Sequence, residues 1–155
     1  MMEPANCLVL LTAYVLGCLN AGYYWVRYRA SIDIRDLGSG NAGARNVGRL
    51  LGTSGFATVF IFDALKGVVA VMLGIHFGSA WPIPELSALA VVLGHVFPIQ
   101  LGFRGGKGIA TALGALLAMQ ANAETAGLTF AIPALIVLLL WTHRENIRAF
   151  WKHRH

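Results

Sequence analysis

The stretch from Gly55 to Phe77 carries only two charged side chains, Asp63 and Lys66, among apolar and small residues. A run of that kind matches the roughly 20 residues an α-helix needs to cross a hydrocarbon layer. Four other stretches read the same way, near Ala5–Trp25, Ile83–Leu101, Gly108–Asn122 and Ala126–Thr142. Of the 155 residues, 57% are hydrophobic and 12% charged, with a mean hydropathy of +0.65. Soluble domains carry about 25% charged residues, and a soluble fold could not hide this much apolar surface. We therefore expect an all-α, polytopic membrane bundle of about five transmembrane helices, built as a single domain over residues 1–155. The stretch Gly108–Asn122 is short for a crossing, so the last two also fit a shallow hairpin buried in protein.

Lysine and arginine flanking short loops are retained in the cytoplasm. Arg27, Arg29, Arg35, Arg45, Arg49 and Lys66 follow or flank the first turn, Arg104 and Lys107 fall in the second, and Arg144, Arg148, Lys152 and Arg154 in the tail. These are all 12 basic residues. They predict an N-terminus outside, a cytoplasmic C-terminus, and an active surface on the cytoplasmic side of a multi-pass protein. The net charge of +5 comes with no aromatic-and-basic surface separate from the spans, which argues against nucleic acid. Anionic lipid or phosphate suits it better. Cys7 and Cys18, close to three helical turns apart, are expected to share a face as buried thiols. The first span lacks a basic leader and is not read as a cleaved signal.

Three cytoplasmic segments concentrate the chemistry. The first runs from Asp33 to Arg49 and is rich in glycine, asparagine, serine and arginine. Freed backbone amides and arginine forks bind phosphate oxygens. Gly38, Gly40 and Gly43 formally match G-x-G-x-x-G, but no βαβ unit surrounds them, so a dinucleotide fold is rejected. A solvated turn with glycines for tight packing is the plainer alternative. The second segment, Gly94–Thr111, is a glycine-rich loop opening into an apolar helix, where amides, the helix dipole and Lys107 would face a phosphate or an oxyanion. It is no Walker loop, because Leu101 and Gly108 stand where a glycine and a Ser or Thr would be needed. The third, Thr142–Arg148, is weak alone, since a basic tail usually serves topology.

Asp63 and Lys66, at i, i+3 spacing within an apolar helix, are placed to pair along one face. His95 is placed to orient the glycine loop. No metal is assigned, because the histidines and cysteines lack ligand spacing.

Together these segments resemble the acyl-phosphate-dependent glycerol-3-phosphate acyltransferase family of bacterial inner membranes. The resemblance rests on Gly38-Ser-Gly-Asn-Ala-Gly-Ala-Arg-Asn-Val47, Phe62-Asp-Ala-Leu-Lys-Gly67, Gly94-His-Val-Phe-Pro98, Gly105-Gly-Lys-Gly-Ile-Ala-Thr111 and His143-Arg-Glu-Asn-Ile147, in family order. It implies transfer of a fatty acyl group from acyl phosphate to the 1-hydroxyl of sn-glycerol 3-phosphate, giving lysophosphatidic acid and phosphate for phospholipid synthesis, with no cofactor. By similarity Ser39, His143 and Lys107 would be catalytic. Asn41, Arg45, Asn46, Gly105, Gly106, Gly108, Arg144 and Asn146 would bind substrate, the amides of Gly105 to Gly108 stabilising the oxyanion. His143, Ser39 or the substrate phosphate would take the proton.

The family implied here has seven spans, and this chain lacks the stretch between Asn122 and Thr129 that would carry two of them, together with a serine-rich motif. Losing two helices keeps His143 on the same side. Arg45 also stands where the family more often has threonine. The missing pair would expose a packing face, which makes a homodimer in the membrane lipids the expected assembly. The alternative reading is a shortened, non-catalytic homologue that binds anionic lipid, phosphate or a partner enzyme.

Overall fold

A computed structural model describes residues 3–78, 82–121 and 131–144. Among them are six α-helices and no strand: α1 (Pro4–Cys18), α2 (Ala21–Ala30), α3 (Ala44–Phe77), α4 (Ile83–Val96), α5 (Ile109–Gln120) and α6 (Ala131–Thr142). Among the described residues, three stretches are long and apolar enough to cross a membrane, Pro4–Ala30, Ala44–Phe77 and Ile83–Leu101. The described parts of the fourth and fifth expected spans, α5 and α6, are 12 residues each. At 1.5 Å per residue each covers about 18 Å, short of the ~30 Å hydrocarbon core.

The first span is not one continuous helix. It breaks between Cys18 and Ala21, where the Asn20 amide turns back onto the Cys18 carbonyl at 2.9 Å. A break inside a membrane frees carbonyls that water cannot reach, and these need partners within the protein. They have them: Lys66 Nζ donates to the carbonyls of Gly17 (3.1 Å) and Leu19 (2.8 Å), and Gln100 Nε2 to that of Cys18 (2.6 Å). The two cysteines part company here. Cys18 is buried beside the break, whereas Cys7 is exposed, because the inward face of α1 runs through Asn6, Val9, Ala13 and Gly17.

α3 is also interrupted, at Gly52, whose φ of 72° and ψ of −168° lie outside helical space. The apolar crossing therefore starts after Gly52, close to the expected Gly55. The bundle is held by close helix approaches, α1 on α4 and α3 on α5. At the first crossing a Cβ on Gly17 would meet the Val91 carbonyl, and one on Gly94 the Tyr14 carbonyl. At the second, Gly67 abuts the Thr111 carbonyl and Gly114 that of Ala64. Small residues at such crossings let backbones approach in a medium that offers no hydrophobic drive between helices. Gly74, against Pro84 and Ser87, serves the same end for α3 on α4.

Candidate active site

The first and second polar segments fold against one another at the end of the bundle where α6 also ends. Arg35 is the clasp. Its guanidinium is gripped by Asp33 (Nε to Oδ1 2.9 Å, Nη2 to Oδ2 2.7 Å) and donates through Nη1 to the carbonyls of Leu101 (2.6 Å) and Arg104 (3.3 Å), lying over the Tyr23 ring at 5.0 Å. The Arg35 hydrogen bonds hold the Asp33 carboxyl below the ordinary carboxylate range. The Ala42 amide adds a bond to the Gly105 carbonyl at 3.3 Å. α6 is tied in where Thr142 Oγ1 lies 3.1 Å from the Lys107 carbonyl.

Between these segments and α3 opens a cavity of about 580 Å³, whose lining includes the polar residues Ser39, Asn41, Arg45, Arg49, Lys107 and His143 and the apolar residues Phe56, Phe60 and Ile109. Ligand sites typically enclose 300–1,000 Å³, apolar walls with a few convergent polar groups. Asp63 and His95 also line it. The lining includes three cations, Arg45, Arg49 and Lys107, suited to phosphate oxygens. Arg45 and Arg49 are one turn apart on the opening of α3, before Gly52. Phe56 and Phe60, stacked with centroids 5.6 Å apart, follow it.

Within the cavity wall, Asn41 closes a turn by accepting the Gly43 amide (3.0 Å) and donates to Ser39 Oγ at 2.9 Å. His143 Nδ1 donates to the Leu139 carbonyl at 2.9 Å. A carbonyl can only accept, so the proton sits on Nδ1, and Nε2 of a neutral ring keeps its lone pair for a proton acceptor's role.

Six of the residues expected at a site are thus brought together: Ser39, Asn41, Arg45, Lys107, Gly108 and His143. Others are placed differently. Asn46 is 2% exposed and faces inward. Its Nδ2 donates to the carbonyls of Ile34, Leu37 and Asn41 at 3.0, 2.9 and 3.0 Å, while Oδ1 accepts the Ser39 amide. It shapes the loop, and its donors are spent on loop carbonyls. Gly105 and Gly106 are not among the lining residues, and their amides donate to the Val96 and His95 carbonyls at 3.1 Å each. These two amides are not available to an oxyanion. Arg144 stacks on Trp141 at 4.3 Å, outside the cavity lining, and Asn146 lies outside the described residues. Arg49 is a lining cation the motif reading passed over, although its i+4 relation to Arg45 marks it.

Beneath the glycine loop lies a buried charged cluster. Lys66 Nζ is 2.9 Å from Asp63 Oδ1 and 2.8 Å from His95 Nδ1; Asp63, Lys66 and His95 are 1%, 9% and 2% exposed. The expected Asp63–Lys66 pair is present, and His95 joins it while its carbonyl holds Gly106. Lys66, counted by sequence among the flanking basic residues, is interior. Among the described residues no group of three His, Cys, Asp or Glu could hold a metal ion.

The described residues thus form a membrane-type helical bundle whose cavity combines cationic and apolar lining residues. The family model for glycerol-3-phosphate acyltransferase matches residues 7–139, and the chain belongs to that family. It is 41% identical over 131 residues to a glycerol-3-phosphate acyltransferase of Thermoanaerobacter sp. (strain X514), an alignment covering 84% of this chain and 65% of the relative. It is 46% identical over 112 residues to glycerol-3-phosphate acyltransferase 1 of Desulfitobacterium hafniense (strain Y51), covering 72% and 55%. The chain therefore spans less than two thirds of the length of these relatives. Two solved structures of PlsY, described as an integral membrane glycerol 3-phosphate acyltransferase, in a glycerol 3-phosphate form and a lysophosphatidic acid form, align with TM-scores of 0.83. They are 29% and 28% identical, covering 97% of this chain and 94% and 93% of theirs. The chain is a membrane protein of this family.

Proposed function

We propose that the chain transfers a fatty acyl group from acyl phosphate to the 1-hydroxyl of sn-glycerol 3-phosphate, releasing lysophosphatidic acid and phosphate. The observation that carries this reading is the mixed lining of one cavity, in which Arg45, Arg49 and Lys107 occur with Phe56, Phe60 and Ile109. It suits a phosphate head and an acyl chain meeting at one carbonyl. In this reading the cations hold phosphates, Ser39 and Asn41 orient glycerol hydroxyls, and His143 Nε2 takes the hydroxyl proton, a task the substrate phosphate can share. The hydroxyl oxygen attacks the acyl carbon, and the carbon–oxygen bond to phosphate breaks with the electron pair leaving on phosphate. No cofactor takes part.

The cavity opens at the end of the bundle that carries Arg27, Arg29, Arg104 and Arg144. By the positive-inside rule that end is the cytoplasmic face of a bacterial inner membrane. The homodimer and the loss of two helices belong to the same proposal. Because the chain covers 65% of its relative, a second reading stands beside the first: a shortened homologue that keeps the phosphate site without turnover.

Purified protein in lipid, given palmitoyl phosphate and glycerol 3-phosphate, should release phosphate and lysophosphatidic acid, and Lys107→Ala should not. An inactive wild type that still binds glycerol 3-phosphate by calorimetry favours the second reading. No binding at all removes both.

A further inference from the structure

The acyl-transfer reading needs hydrogen-bond donors where negative charge gathers on the acyl carbonyl oxygen. Gly105 and Gly106, the obvious sources, have spent their amides on the carbonyls of Val96 and His95. The His95 ring lies directly under Gly106: a Cβ there would strike Nε2, Cε1 and Cδ2. His95 also lines the cavity.

The hydrogen bonding around the ring fixes its tautomer. Lys66 Nζ is surrounded by the Gly17 and Leu19 carbonyls, the end of α1 and the Asp63 carboxylate. Two carbonyls, a carboxylate and the negative end of a helix dipole favour the ammonium form and offset the cost of burying it. An ammonium has donors and no acceptor, so at 2.8 Å it donates to His95 Nδ1, which must then carry a lone pair. The ring proton is left on Nε2, the edge against the glycine loop. A neutral imidazole held this way donates without carrying net charge into a cavity already lined by three cations.

We propose that His95 is a catalytic hydrogen-bond donor to the acyl carbonyl oxygen, with Lys66 and Asp63 as positioning residues that lock it in the Nε2–H form. The proposal rests on the acyl-transfer reading. His95 keeps its proton throughout: the hydroxyl proton goes to His143 or the substrate phosphate, and the tetrahedral oxyanion collapses by expelling phosphate, with His95 Nε2–H holding the oxygen only in between.

The test compares wild type with His95→Phe, which keeps ring bulk without a donor, His95→Gln, which restores an N–H near the Nε2 position, and Lys66→Met. Loss of one such donor lowers kcat by about 10²–10³-fold. The expected result is that fall for His95→Phe with KM for both substrates within about threefold, the signature of an interaction made only in the transition state, with partial recovery in His95→Gln. Lys66→Met should lose kcat in the same pattern. A His95→Phe protein that turns over within about threefold of wild type, or one whose loss is confined to KM, overturns the proposal. Nitrogen-15 NMR of labelled histidine in the wild type, assigned by the His95→Gln difference, reads the tautomer independently of folding in the variants. A proton on Nε2 is expected, and a proton on Nδ1 overturns it. An inactive wild type overturns the acyl-transfer reading itself, which separates the two failures.

Discussion

The side chain of Asn46 accepts the amide of Ser39 at 2.9 Å while donating to three carbonyls, so one buried amide group sets where the Ser39 hydroxyl stands. Asn46→Asp removes the donors and keeps the shape. An unmet buried group costs about 1–3 kcal/mol, so Asn46→Asp should lower unfolding stability by several kcal/mol and abolish turnover together. Ser39→Ala, at an exposed position, should leave stability within about 0.5 kcal/mol and lower turnover alone. Thermal unfolding in detergent beside the phosphate-release assay separates them, and an unaltered Asn46→Asp midpoint would contradict the role given to Asn46.

Arg49 stands one helical turn from Arg45 on the cavity wall. A charge-assisted hydrogen bond to phosphate contributes about 1.5–3 kcal/mol. Arg49→Gln should therefore raise the KM for glycerol 3-phosphate roughly 10- to 100-fold with an unchanged melting midpoint. Steady-state kinetics showing an unmoved KM would remove Arg49 from the binding site.

Asp33 and Arg35 give the fold a dependence on acidity. The Asp33 carboxyl is held below its ordinary value, first by its hydrogen bonds to Arg35, so its contribution is fully present above its unfolded value, about 3.9. That contribution is lost as pH falls through the lower folded value. The stability gap between wild type and Asp33→Asn should be flat near neutrality and shrink below about pH 4. Melting midpoints across pH would refute this by showing a gap that widens on acidification.

Gly94→Ala places a methyl group on the Tyr14 carbonyl, at the crossing of α1 and α4. Overpacking of that kind costs about 1–3 kcal/mol. A lower unfolding midpoint is expected, with turnover reduced as the His95 carbonyl next to it shifts. A midpoint equal to that of wild type would mean the two helices separate without cost.

Much of the architecture was readable in the chain because membrane helices are specified by uninterrupted apolar length, and Gly55–Phe77 has it. The Asp63–Lys66 pair was equally plain from i, i+3 spacing, since two opposite charges in an apolar helix must find each other. The break at Asn20 was not. Its hydropathy differs little from that of a continuous span, and what stabilises it lies far off in sequence, Lys66 47 residues from Leu19 and Gln100 82 from Cys18. The site divided in the same way. Convergence of the three polar segments followed from topology, but Asn41 and Asn46 sit in one glycine-rich stretch and differ only in direction. Likewise, glycine amides count as anion donors only when no carbonyl has claimed them, and for Gly105 and Gly106 the claimants are Val96 and His95.

Gly52 lets a single helix carry the cations Arg45 and Arg49 on one side of a joint and the rings Phe56 and Phe60 on the other. The joint folds the two halves against each other, so that a Cβ on Gly48 would meet that of Phe56, and one backbone turn sets cations beside rings. Under the acyl-transfer reading, that one turn sets how far the phosphate contacts stand from the tail contacts. Inserting or deleting one residue at the joint would change that spacing without touching any side chain that lines the cavity.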